Sequence, residues 1–440
     1  MEYEGIWWLP NNKEKFYYGK LKINEFGDIT LEFFDDPFAS LEHKEYQIIL
    51  GELKDDVKIT LKKCSVLNNH QYLKNINLVK FNVIFAILGE HYLSEDQIKL
   101  DACRISYSNL NKFISKNSIY YRKINNSESK TKFPEISINI PNFCSIRIFF
   151  QSNLKDKIVF EIKSFRSQTI EDYIELKGII QDFFNFVIKD NVLIEDIQYI
   201  KLNNLSHKEI NHKVLYKSLH SLSDFFKPFN KGILFHYNDV SLRFEDIFQK
   251  WFILSFNLKH VYNLFTEVIY NTNQSNVYQF LMLSTALEVY HYYKMDNTSQ
   301  IKNKKINHSN KIKEKVEACN NLNNYKKEKE DIINLIEKSV NLTFEERLYE
   351  IYNKYLEFTT KLFKFNNHKK AIPLIVQTRN YYTHYNPNKE EGKLEDEDLL
   401  YMTMDMLLLL RMCFLTELGF TLEEMKNIFV LDKINREPIQ

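Results

Sequence analysis

Residues 399–420 read LLYMTMDMLLLLRMCFLTELGF, and they are the most apolar run of the chain. The run shows no strand-like alternation of polar and apolar residues, which favours a helix. It is interrupted by Asp405, Arg411 and Glu417, and a charged side chain is costly inside a bilayer. We therefore expect a buried core helix in the helical bundle of a soluble protein, with no membrane partner.

The composition is that of a globular chain. Its 440 residues suggest two to three domains, and hydrophobic residues make up 44% and charged residues 27% of the sequence. With 9 glycines and 8 prolines, long flexible linkers are not expected. The formal net charge of +1 gives no overall attraction to nucleic acid, so any basic surface must be local.

Cysteine usage and the first residues favour a cytoplasmic location. The five cysteines are far apart, and no two of them form a C-x-x-C pair. This spacing predicts neither a zinc knuckle nor a disulfide scaffold, and a reducing compartment fits it. The chain begins Met1-Glu2-Tyr3-Glu4, an acidic start without the apolar core of a secretion signal.

The first 165 residues carry the pattern of β-strands. Short runs rich in aromatic and β-branched residues recur, and turn signals such as Pro10-Asn11-Asn12 and Asp35-Asp36-Pro37 separate some of them. The predicted strands cover residues 3–9, 15–23, 29–34, 46–50, 57–61, 78–86, 98–105, 146–151 and 158–162. Their spacing predicts a mainly antiparallel β domain, either a sandwich or an open barrel.

One helix and one more strand follow. Thr169 and Asp172 have the spacing of a capping box, and apolar residues then recur at roughly helical intervals. Residues 194–202 are a predicted strand that rejoins the sheet, and the polar stretch 203–208 is the expected domain boundary.

From about residue 244 the pattern is helical. The predicted helices lie near 244–269, 275–294, 311–338, 344–364, 373–385 and 395–417. Pro373 suits the first turn of its helix, and Asn386-Pro387 is expected to end it. The prediction is an α+β protein with a β domain over 1–205, a connecting segment over 206–243 and an all-α bundle over 244–440.

Several common catalytic motifs are missing from the sequence. There is no P-loop, no H-E-x-x-H and no G-x-S-x-G, so we expect no nucleotide cofactor and no metal centre. Glu161-Ile162-Lys163 has the E-x-K spacing that metal-dependent nucleases place on a strand, with Asp156 upstream. Alternating charge on a solvated strand explains the same residues without a function, and this is the favoured interpretation.

The segment Arg379-Asn380-Tyr381-Tyr382-Thr383-His384 is the favoured active site. Asn380 and His384 are four residues apart and share one helical face, whereas Arg379 lies about 140° from His384 on an ideal helix. The long guanidinium can reach round to the same point. An imidazolium in the last turn is favoured by the helix dipole, and beside a guanidinium it forms a site for phosphate.

This pair suits RNA cleavage without a metal. Histidine can transfer a proton near neutral pH, and arginine can stabilise the extra negative charge of a pentacovalent phosphorane. The nucleophile would be the RNA 2′-hydroxyl. Taken alone, an Arg and a His at this spacing are more often structural, with the arginine paired to an acid and the histidine at the helix end.

At these residues the chain resembles the HEPN superfamily, whose signature is R-x(4–6)-H with a polar residue, commonly Asn, after the arginine. Residues 275–294 look like the first long HEPN helix, and Glu288 falls where many HEPN proteins carry an acid. The resemblance adds Glu288 to the candidate catalytic residues Arg379, His384 and Asn380. Some HEPN toxins are silenced by modification of a tyrosine two residues after the histidine, but Asn386 holds that position here.

The first half resembles the opening domain of the ApeA family. The similarity is carried by residues 5–10 (GIWWLP), 18–21 (YGKL), 29–32 (ITLE), 51–52 with 59–61 and Cys64, and 106–110 (SYSNL). The resemblance implies a cytoplasmic endoribonuclease of anti-phage abortive infection, with RNA, such as tRNA, as its target. It implies a homodimer or a dimer of dimers that shares its sites, and a β-rich sensor domain that responds to a phage-derived trigger.

Two other functions stay open. A HEPN bundle that has lost catalysis could bind RNA through Arg379 and the lysines of residues 294–330, where ten lysines stand against five acids. A scaffold protein could use the bundle for dimerisation, and it predicts that Arg379 and His384 are buried and paired to acids. Solvated lysines are the more frequent explanation of the 294–330 charges.

Overall fold

The structure is a computed structural model, and its residues fall into two compact units. It describes residues 1–24, 27–34, 45–73, 76–114, 135–151, 157–166, 168–188, 192–202, 209–216, 232–271, 274–319, 322, 325–385 and 391–434. The first unit holds the described residues of Met1–Asp224 and Phe235–Glu245, and the second those of Phe225–Leu234 and Asp246–Gln440. A β-rich unit followed by a helical one confirms the predicted α+β class.

The first unit is built on antiparallel strands. They are β1 (Glu2–Trp8), β2 (Tyr17–Ile23), β3 (Ile29–Phe34), β4 (Glu45–Leu53), β5 (Val57–Leu73), β6 (Ile76–Leu88), β7 (Ala102–Tyr107), β8 (Ile136–Ile140), β9 (Cys144–Gln151), β10 (Lys157–Ser164), β11 (Ile194–Leu202) and β12 (Glu209–Tyr216). Its helices are α1 (Leu110–Phe113), α2 (Ile170–Ile188) and α3 (Tyr237–Val240).

The first six strands close into a barrel. Their order is β3-β2-β1-β4-β5-β6, and β6 also pairs with β3, from Ile29 opposite Val83 to Phe34 opposite Leu78. Closure removes the free edges that an open sheet would leave. The interior is filled by large side chains such as Trp7, and a Cβ at Gly51 would overlap the Trp7 indole. Glycine is therefore needed opposite the tryptophan.

The remaining strands extend this sheet in the order β12-β11-β7-β10-β9-β8. Strand β12 joins the two parts, because it pairs with β6 of the barrel and with β11. It lies inside residues 206–243, the expected connecting segment, while the expected boundary at 203–208 and the turn at 35–37 lie outside the described residues.

Helix α2 covers one face of the open sheet. Its capping box is confirmed: the Thr169 N–H donates to Asp172 Oδ2 at 3.1 Å, and the Asp172 N–H donates to Thr169 Oγ1 at 3.2 Å. The Tyr107 hydroxyl of β7 donates to the Lys177 carbonyl at 2.8 Å. The opposite face of the sheet carries the charged residues described below.

The second unit consists of helices. They are α4 (Phe244–Asn257), α5 (Lys259–Tyr270), α6 (Asn276–Lys294), α7 (Gln300–Glu317), α8 (Lys326–Lys338), α9 (Phe344–Lys354), α10 (Leu356–Leu362), α11 (His368–His384), α12 (Asp396–Glu417) and α13 (Leu422–Ile434). A 3-10 turn, Asp296–Thr298, connects α6 to α7.

Helix α12 contains the apolar run and is the central core helix of this unit. By length and hydropathy it could cross a membrane, but most of its residues are buried inside the unit, as expected for a core helix. Its charged residues have partners: Asp405 accepts the backbone N–H groups of Lys364 and Phe365, at 3.2 and 2.9 Å. Glu417 accepts the Tyr290 hydroxyl at 3.0 Å.

Helix α11 begins earlier than its sequence indicates. Its first residue is His368, and the Asn367 side chain accepts the Lys369 N–H at 3.1 Å as a cap. Pro373 therefore lies inside the helix, so its assignment to the first turn was wrong. The missing N–H leaves one carbonyl of the preceding turn without its helical bond. The helix ends at His384, and the expected stop at 386–387 lies outside the described residues.

Candidate active site

One face of α11 is fixed to the body of the helical unit. Ile375 and Thr378 are buried, and the Leu394 N–H donates to Thr378 Oγ1 at 3.0 Å. Gln377 Nε2 donates to the Glu391 carbonyl. These contacts hold the helix against the segment before α12, and they leave Arg379 and His384 less enclosed.

Arg379 is held by an acid and an aromatic ring. Its Nη2 donates to Glu288 Oε2 of α6 at 2.6 Å, and its Cζ lies 4.3 Å from the centre of the Phe344 ring of α9. The arginine and glutamate side chains are 25% and 32% exposed. A guanidinium has five N–H donors, so a fixed orientation against one carboxylate still leaves donors for a second anion.

His384 and Asn380 occupy the same helix at different depths. Asn380 is half-buried, whereas His384 is exposed in the last turn. Tyr385 follows in the left-handed conformation, with φ of 47°, and ends the helix. The imidazole therefore lies at the negative end of the helix dipole and is open to solvent, where it can exchange protons.

The tyrosines inside the motif support its position. The Tyr382 hydroxyl donates to the Leu394 carbonyl at 3.3 Å. The Tyr381 ring packs edge-on against Tyr382 at 5.2 Å, and Lys393 Nζ lies 4.5 Å from its centre. The residues between Arg379 and His384 thus fix the end of α11 to residues 393–394.

A cavity of about 590 Å³ opens beside Glu288. Its wall includes His260 of α5, Tyr292 and Tyr293 of α6, and Arg347 of α9. The two tyrosine rings are 59% and 52% exposed, and their centres are 5.5 Å apart. No sequence motif points to these residues, although Tyr292 lies one helical turn after Glu288 on the same face.

A buried polar network lies behind the cavity. Arg347 Nη1 donates to His291 Nδ1 at 3.1 Å and to Asp296 Oδ1 at 2.8 Å. A guanidinium can only donate, so His291 Nδ1 is an acceptor and the proton is on Nε2. His291 Nε2 then donates to Glu350 at 2.7 Å. Burial lowers the pKa of His291 below its ordinary value, although Glu350 acts in the opposite direction.

The E-x-K residues lie on the sheet of the first unit and are engaged in ion pairs. Glu161 Oε2 is 2.7 Å from Arg104 Nε and 3.4 Å from Arg147 Nη2, and Glu161 Oε1 is 3.8 Å from Lys163 Nζ. Asp156 lies outside the described residues. Within the described ranges, no three His, Cys, Asp or Glu side chains lie together so as to hold a metal ion.

Several lysines of residues 294–330 are also paired. Lys305 and Lys313 lie 2.7 and 2.6 Å from Glu346 and Glu337, and Lys302 pairs with Asp296. Asp296 lies in the 3-10 turn, Glu337 in α8 and Glu346 in α9. The local positive charge is therefore partly neutralised within the unit.

Comparison with known proteins links both halves of the chain to one family. The family model described as ApeA N-terminal domain 1 matches residues 2–251, and the model described as Apea-like HEPN matches residues 281–424. The second range includes Glu288, Arg379, Asn380 and His384. Neither the search of curated proteins nor that of solved structures returned a match.

Proposed function

This chain belongs to the ApeA-like HEPN proteins, and on that premise we propose that it is an endoribonuclease that needs no metal ion. The observation that carries the proposal is the Arg379–Glu288 pair beside an open cavity, with an exposed His384 on the same helix. One element thus presents a fixed cation and an accessible proton-transfer group, which are the two functions that phosphodiester cleavage requires.

The proposed reaction is attack of the RNA 2′-oxygen on the adjacent phosphorus. The 2′-hydroxyl proton passes to a histidine, and the new P–O2′ bond forms as the P–O5′ bond breaks. A second histidine donates a proton to the departing 5′-oxygen. The products are a 2′,3′-cyclic phosphate and a 5′-hydroxyl, and the charge that develops on the phosphorane is stabilised by Arg379.

Glu288 and Asn380 are assigned supporting roles. Glu288 orients the guanidinium through Nη2, so that its remaining N–H groups can bind a phosphate oxygen. Asn380 lies on the same helical face as His384 and can position either the phosphate or the imidazole.

The mechanism calls for two copies of the chain. One His384 serves as proton acceptor or as donor, whereas cleavage uses both. A two-fold contact would bring the same segment of two chains together. We therefore propose a homodimer, or a dimer of dimers, in which two Arg379–His384 sets face one cleft and acids such as Glu288 offset the repulsion between the cations.

Membership of this family supports a proposal for the biological role. We propose that the protein acts in the cytoplasm during phage infection and halts growth by cutting cellular RNA, with tRNA as one candidate. The first unit would act as the sensor of a phage-derived trigger, and the helical unit would carry the activity.

A scaffold function is the second candidate, because one observation favours it. Arg379 is partly buried and paired to an acid, as a structural arginine would be. His384 does not follow this pattern, because it is exposed. A non-catalytic RNA binder would use the same groups and would differ only in the absence of turnover.

The test is to incubate the purified full-length protein with total RNA and to map the ends. We expect cuts that leave 2′,3′-cyclic phosphates and 5′-hydroxyls, and no cuts by the His384→Ala protein. Binding without cleavage by the wild-type protein would support the RNA binder. Neither binding nor cleavage, with a stable dimer, would support the scaffold.

A further inference from the structure

The face of the open sheet opposite α2 contains a second cavity, of about 290 Å³. Its lining comes from four neighbouring strands in the order β11-β7-β10-β9. The strand register aligns one row of four side chains across these strands: Asp196, Ser106, Val159 and Phe149. Residues two apart on a strand share a face, so Arg104, Arg147 and Lys157 point to the same side as these four.

Ser106 is an unusual residue at the base of this cavity. It is 3% exposed, and its Oγ makes no hydrogen bond with the protein in the part of the chain that the structure describes. A buried hydroxyl without a partner destabilises a fold, so it is rarely kept without a reason. Val159 beside it is buried and apolar. The hydroxyl thus lies at the base of the cavity, next to an apolar side chain, and is available to a ligand.

The cations round the cavity differ in how fully they are paired. Arg104 is occupied, because it donates to Glu161 at 2.7 Å and to both Glu209 oxygens at 2.7 and 2.8 Å. Arg147 is less engaged: its ion pairs with Glu161 and Glu135 span 3.4 and 3.5 Å.

Other donors of the cavity are also weakly engaged. The buried Nε of Arg147 has no hydrogen-bond partner among the described residues. Lys157 lies 3.5 Å from Glu195. Arg147 and Lys157 are therefore the cations that an anionic ligand can recruit.

The other side of the cavity accepts hydrogen bonds. Asp196 and Gln198 of β11 are exposed there, and Asp196 faces Ser106 in the register. The Phe149 ring of β9 supplies an aromatic surface on the cationic side, with the Arg147 guanidinium 4.9 Å from its centre. A matching ligand carries an anionic group, a flat and partly apolar group, and hydroxyl donors between or beside them.

We propose that this cavity binds a mononucleotide. Its phosphate would contact Arg147 and Lys157, and Ser106 Oγ would donate to a phosphate oxygen. The base would pack on the Phe149 side of the cavity, and the ribose, which joins base to phosphate, would direct its hydroxyls to Asp196, the bond that acidic residues make in nucleotide sites. The volume lies at the lower end of the range for ligand pockets, which fits a small ligand. The proposal does not depend on the ribonuclease activity, since the cavity lies wholly in the first unit.

The experiment is calorimetric titration of the full-length protein with the four ribonucleoside monophosphates, the matching nucleosides and inorganic phosphate. We expect at least one monophosphate to bind, and its nucleoside to bind roughly ten- to a hundredfold more weakly, the range for hydrogen bonds to a charged group. Inorganic phosphate alone should also bind more weakly. If no monophosphate binds at concentrations on the order of 1 mM, the weak end of measurable affinity, the proposal is wrong.

Three variants locate the bound nucleotide. Arg147→Gln should weaken binding roughly tenfold or more. Ser106→Ala should weaken it about two- to tenfold, while the melting temperature stays the same or rises, because an unsatisfied buried hydroxyl is removed. Lys163→Ala is the matched control, since this exposed lysine carries a cation on the same face of β10 outside the cavity, and it should change nothing.

One further variant separates this cavity from the candidate active site. Arg379→Ala should leave mononucleotide binding unchanged, because Arg379 lies in the second unit. Binding that is lost in Arg379→Ala but kept in Arg147→Gln would assign the nucleotide to the helical site and overturn the proposal. Inorganic phosphate binding as tightly as every monophosphate would overturn the role of Phe149 and Asp196.

Discussion

Arg379 Nη2 lies 2.6 Å from Glu288 Oε2, and this bond connects two helices whose paired residues are 91 positions apart in the sequence. Both side chains are partly exposed, so the pair contributes about 1 kcal/mol or less to stability. Its main effect is on orientation: it fixes where the guanidinium presents its remaining donors. A change at Glu288 should therefore alter activity more than folding.

Replacing Glu288 tests this positioning role. We expect Glu288→Gln to lower RNA cleavage about tenfold, a loss of about 1.4 kcal/mol of transition-state stabilisation, because a neutral amide accepts from Arg379 more weakly than a carboxylate and does not offset its charge. The melting temperature should change by a few degrees at most. Glu345→Gln, at an exposed glutamate of α9, is the control and should cleave normally. Faster cleavage by Glu288→Gln would instead make Glu288 an inhibitor of Arg379.

Variants of Arg379 and Asn380 in α11 should differ in how strongly they impair cleavage. Arg379→Ala should abolish cleavage, and Arg379→Lys should also be strongly impaired, because an ammonium cannot donate in a fork or lie flat on Phe344 as the guanidinium does. Asn380→Ala should be milder, since we assign it only positioning. Single-turnover cleavage rates measure this order of severity, and melting curves check that each variant is folded. Equal rates for Arg379→Ala and wild-type protein would contradict the proposed charge stabilisation.

Mixed oligomers test whether two chains share a site. Arg379→Ala and His384→Ala proteins, each inactive alone, should regain partial cleavage when they are unfolded, mixed and refolded together. The shared cleft of a heterodimer then holds one working arginine and one working histidine, so one of the two proton transfers must use water and only part of the rate returns. Refolding each variant alone is the control. Absence of recovery, with heterodimers verified by mass spectrometry, would argue for sites contained within single chains.

Metal removal tests the class of nuclease. We expect EDTA to leave cleavage unchanged, because the proposed groups are an arginine and a histidine rather than metal ligands. Loss of activity in EDTA, restored by Mg²⁺ or Mn²⁺, would shift the proposal to Glu161 and Lys163. In that case Glu161→Gln, and not His384→Ala, should be the inactive protein.

The buried imidazole predicts a pH dependence of stability. Burial holds the pKa of His291 below the ordinary value of 6.5. The unfolded chain therefore binds more protons just below pH 6.5, and the free energy of unfolding falls as the pH drops through that value. The groups that face His291 are Arg347 and Glu350 of α9 and Asp296 of the 3-10 turn, and the acids counteract the shift only in part.

Urea unfolding at about pH 7.5 and about pH 5.5 measures this dependence. The difference between the free energies of unfolding at the two pH values should be smaller for the His291→Gln protein than for the wild type. His308→Gln, at an exposed histidine of α7, should behave as the wild type. An unchanged difference in His291→Gln would show that another group, such as the buried His212 of the first unit, causes the effect.

Local patterns predicted the elements better than their arrangement. The strand over 29–34, the strand Ile194–Leu202 and the capping box at Thr169 were predicted correctly, because alternation and capping are encoded by neighbouring residues. Barrel closure was not predicted, because it depends on β3 pairing with β6 across about fifty residues. Strand β12 was missed because a polar stretch precedes it and one of its two partners, β6, lies far away in the sequence.

In the candidate active site, too, local features could be predicted from the sequence and long-range contacts could not. The spacing of Arg379, Asn380 and His384 on one helix follows from the sequence, since helical geometry relates residues that are close together. The contact of Arg379 with Phe344 and the network of His291, Arg347 and Glu350 do not, because the chain must fold before α6, α9 and α11 meet. Glu288 was selected only through the family resemblance.

Strand β12 has a consequence for the order in which the first unit is made. Strands β1 to β6 are complete at Leu88, so the barrel can close while the ribosome is still translating the second half of this unit. The barrel can be connected to β11 only after residues 209–216, which form β12, have been synthesised. A nascent chain stalled before Glu209 would therefore carry a finished barrel with an unpaired stretch of β6, and this exposed edge could recruit another nascent chain.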